Sequence, residues 1–125
     1  MENKMDFEFE DLLESKKKVR RGYRDRDSFW SEEYLWKHAK DLPVETIELE
    51  PLLDLDITWT ITNIFDFSLH VKKINEANYK RFPIIMSEDG KIMDGYHRVC
   101  KALLDGATTI QRKKFEVNPP PERKV

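Results

Sequence analysis

The chain has 125 residues, of which 39% are hydrophobic and 37% charged, and its formal net charge is −2 at pH 7. This length is typical of one domain with one core, and the small negative charge excludes a global positive field that would carry the protein onto nucleic acid. The single cysteine, Cys100, excludes an intramolecular disulfide, and no apolar run approaches the roughly 18 residues of a membrane span. Because no signal-peptide stretch is recognisable either, we expect a cytoplasmic protein without a membrane partner.

The first 43 residues alternate short apolar groups with charged residues, which predicts an N-terminal helical segment. Its two amphipathic helices are expected at about 6–18 and 28–41. Asp27 or Ser28 is the expected N-cap of the second helix, since acidic residues follow in its first turns.

Three aromatic residues of the second helix bear on protein partners. Trp30, Tyr34 and Trp36 cannot share one helix face, because positions 34 and 36 point about 200° apart. At least one of them is therefore expected at the surface or in an interface with another protein.

Basic residues cluster between positions 16 and 26, and acidic residues follow them directly. Such a run favours a solvated surface over an arm that binds nucleic acid. The cluster comprises Lys16, Lys17, Lys18, Arg20, Arg21, Arg24 and Arg26.

The central part begins with Val44 to Leu49, whose apolar and polar residues alternate as in a half-buried strand. Leu52 to Trp59 contains two acids, Asp54 and Asp56, and is predicted to be a loop or an irregular edge. Asp66 to Asn75 is expected to be a helix, with apolar residues at helical spacing on one face: Phe67, Val71 and Ile74.

The clearest pattern runs from Pro83 to Ile110. It predicts a β-hairpin around Gly90, a tight turn at Asp94-Gly95, a helix from Tyr96 to Leu104, and a final strand. The expected core residues are Ile84, Ile85, Ile92, Val99 and Leu103, with either Cys100 or Ala102. We assign 44–117 to the main domain and 118–125 to an extended or disordered tail.

The turn Asp94-Gly95-Tyr96-His97-Arg98 is the candidate functional site. It places a glycine and the first backbone N–H groups of a helix beside a histidine and an arginine, which together favour an anion. Asp94 is a candidate metal ligand or general base. The alternative is an ordinary Asp-Gly turn with surface side chains.

The stretch PIIMSEDGKIMDGYHRVCKALLDGATTI resembles the core of the ParB/sulfiredoxin superfamily. In that core a hairpin delivers a Gly-x-His-Arg-type turn to a helix, and Val44 to Leu49 resembles the opening strand. The resemblance implies an α+β fold with a small mixed sheet, and binding of a nucleoside triphosphate by the turn. The family's activities include sulfinic-acid reduction, phosphorylation of free serine, CTP-gated DNA clamping and nuclease activity.

The residues present separate these branches. Sulfiredoxins have a catalytic cysteine where this chain has Tyr96, and DNA-segregation ParB proteins have a Gly-Glu-Arg-Arg box. Asp94-Gly95-x-His97-Arg98 is most similar to the free-serine kinases, whose second catalytic acid follows the opening strand. Asp54 and Asp56 lie in that region, and the sequence does not choose between them.

The leading hypothesis is therefore a nucleotide-binding protein, either a phosphotransferase or a nucleotide hydrolase. Gly95, Tyr96, His97 and Arg98 would bind the phosphates of ATP or CTP, with Asp94 and His97 catalytic and Asp94 holding Mg²⁺. The first alternative is a nucleotide sensor or interaction module without turnover. The second is a DNA-binding or nuclease protein that uses the N-terminal basic cluster together with basic residues near the turn, which are Lys72, Lys73, Lys80 and Arg81.

Overall fold

The computed structural model describes residues 21–124, and the first predicted helix, at about 6–18, lies outside that range. The described part folds into short helices and strands. In chain order they are β1 (Gly22–Asp25), β2 (Ser28–Ser31), α1 (Glu32–Ala39), β3 (Glu45–Glu48), a 3₁₀ helix (Glu50–Asp54), α2 (Ile64–Glu76), β4 (Ile84–Met86), β5 (Ile92–Asp94), α3 (Tyr96–Leu104), β6 (Thr109–Lys114) and β7 (Arg123–Lys124).

The fold is α+β, as predicted, and its centre is a mixed four-stranded sheet. The strand order is β3-β6-β4-β5, with β4 and β6 parallel and the other two pairings antiparallel. The connection from β5 through α3 to β6 carries the chain across the sheet. It thereby places the Asp94-Gly95 turn at the end of β5, beside the sheet edge.

At β4 both faces of this sheet are buried, which explains the unbroken apolar run of that strand. Ile84 and Met86 face the core that contains α3, whereas Ile85 between them faces the opposite core. The α3 core comprises Leu49, Leu52, Ile84, Met86, Ile92, Val99, Ala102 and Ile110. The opposite core comprises Tyr23, Trp30, Leu35, Ala39, Ile85, Met93 and Phe115.

The predicted helix at 28–41 is wrong in its first turn. Ser28–Ser31 is instead a strand that pairs with β1, and the intervening turn has Arg26 at φ 57°. The N-cap is Ser31, whose hydroxyl accepts a hydrogen bond from the Tyr34 N–H at 3.2 Å. The segment 1–43 is thus not wholly helical in its described part.

The aromatic residues of this segment contact their own chain. Trp30 is buried, and Tyr34 and Trp36 are half-buried against the same core. Tyr34 and Trp36 thus keep part of their surface accessible, whereas Trp30 is buried because it lies on a strand and not on the helix. A protein partner at this surface stays a prediction.

The sequence predicted an extended or disordered tail at 118–125. The described part of this tail, up to Lys124, is extended and ordered, so the prediction of disorder is wrong there. Arg123 pairs with Phe29 in an antiparallel ladder, so that β7 completes a three-stranded sheet with the hairpin. The Trp30 Nε1–H donates to the Pro119 carbonyl at 2.8 Å, and the Tyr34 hydroxyl donates to the Pro120 carbonyl at 2.6 Å. These long-range bonds fix the prolines, which carry no N–H of their own.

The predicted order of strand, turn, strand, helix and strand between 83 and 110 is confirmed. Ile84, Ile85 and Ile92 are buried, and Val99 and Ala102 form the buried stripe of α3. Leu103, expected in the core, is 50% exposed because it lies at the solvent edge of that stripe.

The predicted strand at 44–49 and the predicted helix at 66–75 are also confirmed, as β3 and α2. The irregular segment after β3 contains the 3₁₀ helix and then a loop. Asn63 caps α2 by accepting a hydrogen bond from the Asp66 N–H at 2.9 Å. No helix in the part described here is long and apolar enough to cross a membrane.

Candidate functional site

The site is built on Gly95, which is the N-cap of α3. Its φ is 124°, and a Cβ here would lie 2.5 Å from Ile84 Cγ2, so both the backbone conformation and the packing demand glycine. No side chain caps the helix; the Val99 N–H donates to the Gly95 carbonyl at 3.0 Å, which closes its first turn. The N–H groups before Val99 therefore lack a side-chain acceptor, and the helix start carries partial positive charge.

Asp94 and Arg98 form an ion pair across this turn. Arg98 Nη2 donates to Asp94 Oδ2 at 3.1 Å, and the Trp36 Nε1–H donates to the same oxygen at 2.7 Å. The guanidinium lies over the Trp36 ring at 5.6 Å, and both side chains of the pair are 16% exposed. Arg98 Nε is buried without a hydrogen-bond partner. The pair orients Arg98 and leaves it with an unused donor.

His97 is held in an aromatic stack that the sequence did not reveal. Its Nε2 lies 2.8 Å from Nδ1 of His70 on α2, and the two rings are inclined by only 14°. Trp59, from the loop before α2, stacks on both rings with centroid distances of 4.2 Å to His70 and 4.4 Å to His97.

Burial lowers the pKa of both imidazoles of this stack, which favours their neutral forms. The pKa of His97 falls to about 3, and the positive charges of Lys73, Arg21 and Arg98 add to the effect of burial. Burial also lowers the pKa of His70, with Lys73 next, while the nearby Asp66 carboxylate opposes the shift.

A cleft of about 480 Å³ opens at the start of α3, and we name it the α3 cleft. It lies between α1, α2, the loop after α2, and the Asp94-Gly95 turn. Its lining residues are Glu32, Trp36, Lys73, Glu76, Ala77, Asn78, Phe82, Asp94, Gly95, His97 and Arg98. A helix start, a lysine, a histidine and an arginine therefore surround one solvent-accessible space.

Glu32 is an acid of the α3 cleft that interacts electrostatically with Asp94. Burial raises the pKa of its carboxyl group, and the like charge of Asp94 raises it further. Arg21, Lys73 and Arg98 act in the opposite direction. Glu32 directly follows the Ser31 N-cap, and acidic residues are common at the start of a helix. Its position in the sequence therefore did not indicate a functional residue.

The structure brings four of the five residues of the predicted turn into the α3 cleft. Tyr96 instead packs against the α3 core and lies edge-on to Trp59 at 6.1 Å. Asp54 and Asp56, the candidates for a second acid, are exposed and do not line the cleft. Of the basic residues considered for DNA binding, Lys73 lines the cleft with its side chain on the same face of α2 as His70.

The donor set for a metal ion is small. Within residues 21–124 there is no group of three or more His, Cys, Asp or Glu side chains placed to hold a metal. Three carboxylate residues line the cleft, Glu32, Glu76 and Asp94, and Glu76 is paired with Lys72 on α2. Mg²⁺ that arrives with nucleotide phosphates needs only one or two protein carboxylates, so Asp94 and Glu32 fit that mode of binding.

No protein-family model, curated protein or solved structure matches this chain. The resemblance of Pro83 to Ile110 to the ParB/sulfiredoxin superfamily therefore stays a prediction, and it rests on the residues of the turn and of the strands and helix around it.

Proposed function

We propose that this chain binds the phosphates of a nucleotide in the α3 cleft. The uncapped start of α3 at Gly95 would receive the phosphate, with Lys73 and Arg98 supplying positive charge and His97 a hydrogen bond. The observation that carries the proposal is this convergence of backbone donors and cationic side chains on one open cleft.

The position of Arg98 supports the same proposal. Its ion pair with Asp94 uses Nη2 and leaves the buried Nε without a partner. A buried donor without an acceptor is costly, and a phosphate oxygen would satisfy it. In this arrangement, the main role of Asp94 is to orient the Arg98 guanidinium through their ion pair.

Two of the carboxylates that line the cleft extend the proposal to Mg²⁺ and to phosphoryl transfer. Asp94 and Glu32 would hold Mg²⁺ beside the bound phosphates, where it would supply positive charge that favours phosphoryl transfer. With the resemblance to the free-serine kinases, this favours an ATP-dependent phosphotransferase or nucleotide hydrolase of the ParB/sulfiredoxin type. Glu32 then takes the place that the sequence offered to Asp54 or Asp56.

A thermal-shift titration tests this proposal. ATP, CTP and inorganic phosphate are each added with and without Mg²⁺ to wild type, Lys73→Ala and Lys72→Ala. We expect a nucleotide to raise the Tm of wild type and of Lys72→Ala, whose altered residue does not line the cleft. Lys73→Ala should need at least tenfold more nucleotide for the same rise in Tm. Equal stabilisation of the two variants would contradict the α3 cleft as the binding site.

The same proteins separate the activities. Release of inorganic phosphate that Glu32→Gln abolishes supports catalysis, whereas binding without release supports a nucleotide sensor. A salt-sensitive gel shift with DNA, unaffected by Lys73→Ala, would instead support the nucleic-acid alternative.

A further inference from the structure

The stack of Trp59, His70 and His97 has a property that packing alone does not require. The 2.8 Å contact between His70 Nδ1 and His97 Nε2 is a hydrogen bond, and one of these nitrogens must carry the proton while the other accepts it. Because a neutral imidazole has one N–H, this bond also fixes the protonation of His97 Nδ1. Trp59 is half-buried and covers both rings, so it holds them at the angle that the bond needs.

The two directions of this bond give His97 opposite chemistry. If His97 Nε2–H donates to His70, then His97 Nδ1 is an acceptor and can act as a base. If His70 Nδ1–H donates to His97, then His97 Nδ1 carries a proton and can only donate. His97 Nδ1 has no hydrogen-bond partner among residues 21–124, and His97 lines the α3 cleft.

The surroundings select between these directions. Lys73, Arg21 and Arg98 place positive charge near His97, which favours an anionic ligand, and every phosphate oxygen of such a ligand is a hydrogen-bond acceptor. A neutral His97 can meet a phosphate oxygen only through a protonated Nδ1.

We propose that His70 is a positioning residue whose Nδ1–H donates to His97 Nε2, so that His97 presents a protonated Nδ1 to a phosphate oxygen in the α3 cleft. This inference rests on the proposed function for its ligand, and it makes His97 a phosphate ligand and not a general base. His70 acts through His97 and touches no ligand itself.

Three variants separate the hydrogen bond from the stack. His70→Phe keeps a flat ring against Trp59 and removes the bond, whereas His70→Asn places an amide group where Nδ1 lies and can restore it. His38→Phe is the matched control, because His38 is an exposed histidine on α1 that stacks on Tyr34 at 4.3 Å.

The first measurement needs no ligand. Imidazole ¹⁵N NMR at pH 7 reports which nitrogen of His97 is protonated. We expect a fixed Nδ1–H tautomer in wild type, in His38→Phe and in His70→Asn, and averaged nitrogen shifts in His70→Phe. An Nε2–H tautomer in wild type, or a fixed tautomer in His70→Phe, would overturn the proposal.

The second measurement is calorimetric titration of the same proteins with MgATP. We expect His70→Phe to bind about tenfold more weakly than wild type and His70→Asn to recover most of that loss. Wild-type affinity in His70→Phe would overturn the positioning role while leaving the proposed function intact. A wild-type protein that binds neither MgATP nor phosphate would refute the proposed function, and with it the ligand assigned to His97, whereas the NMR result would still decide the direction of the bond.

Discussion

Replacement of Gly95 by alanine is the sharpest test of how the turn is built. At φ 124° a side chain costs about 1–3 kcal/mol, as a sparsely populated backbone conformation does. The new Cβ would also lie 2.5 Å and 2.8 Å from two atoms of Ile84, which is fully buried and cannot move aside. Overpacking of that kind costs about 1–3 kcal/mol more. We therefore expect Gly95→Ala to lower the free energy of unfolding by about 2–6 kcal/mol in urea denaturation.

Two other glycines serve as matched controls for this substitution. Gly90 and Gly106 have φ values of 83° and 79°, but a Cβ at either would meet nothing within 4 Å. Gly90→Ala and Gly106→Ala should therefore show only the backbone cost, about 1–2 kcal/mol. If Gly95→Ala loses no more stability than these two, the close packing of the turn against Ile84 is refuted.

Three further predictions concern the ion pair, the tail and pH. Arg98→Ala should weaken phosphate binding by about 10- to 150-fold in calorimetry. It should also lower the free energy of unfolding in urea by about 1–2 kcal/mol, because Asp94 loses its ion-pair partner. Intact binding with a large loss of stability would make Arg98 purely structural. Trp30→Phe removes the donor to the Pro119 carbonyl and should cost about 1–2 kcal/mol in the same assay, so an unchanged midpoint would contradict the docked tail. The pKa of His97 is about 3 in the folded state and 6.5 ordinarily, so the unfolded chain binds more protons between these two values. Stability should therefore fall as the pH drops below about 6.5, by at most about 1.4 kcal/mol per pH unit and by less because the ring is partly exposed. Urea midpoints from pH 7 to pH 4 that fall equally in His97→Phe would show that other groups cause the loss.

The sequence predicted those parts of the fold that depend on local pattern. The hairpin around Gly90, the turn at Gly95 and the α3 helix follow from glycine placement and from apolar spacing over short stretches. The same kind of reasoning failed at Ser28–Ser31, because Phe29 and Trp30 fit a helix pattern as well as a strand. What decides for the strand is pairing with β1 and with β7, and β7 lies more than 90 residues away in the chain.

The candidate site was predictable only in part for a related reason. Asp94, Gly95, His97 and Arg98 are adjacent in sequence, so their shared turn was recognisable from the residues alone. His70 is 27 positions before His97, and it reaches the site only because α2 packs beside α3. Contacts of this kind depend on tertiary structure and leave no periodic trace in one sequence.

The account depends above all on a phosphate bound at the start of α3, and backbone amide NMR tests this most directly. In a ¹⁵N-labelled protein titrated with MgATP, we expect the largest shifts at the amides of Gly95, Tyr96 and His97, with saturation at one bound equivalent. In Lys73→Ala the same shifts should need at least tenfold more MgATP. Titration with no amide shift at the start of α3, or with its largest shifts in a different part of the molecule, would contradict the central claim.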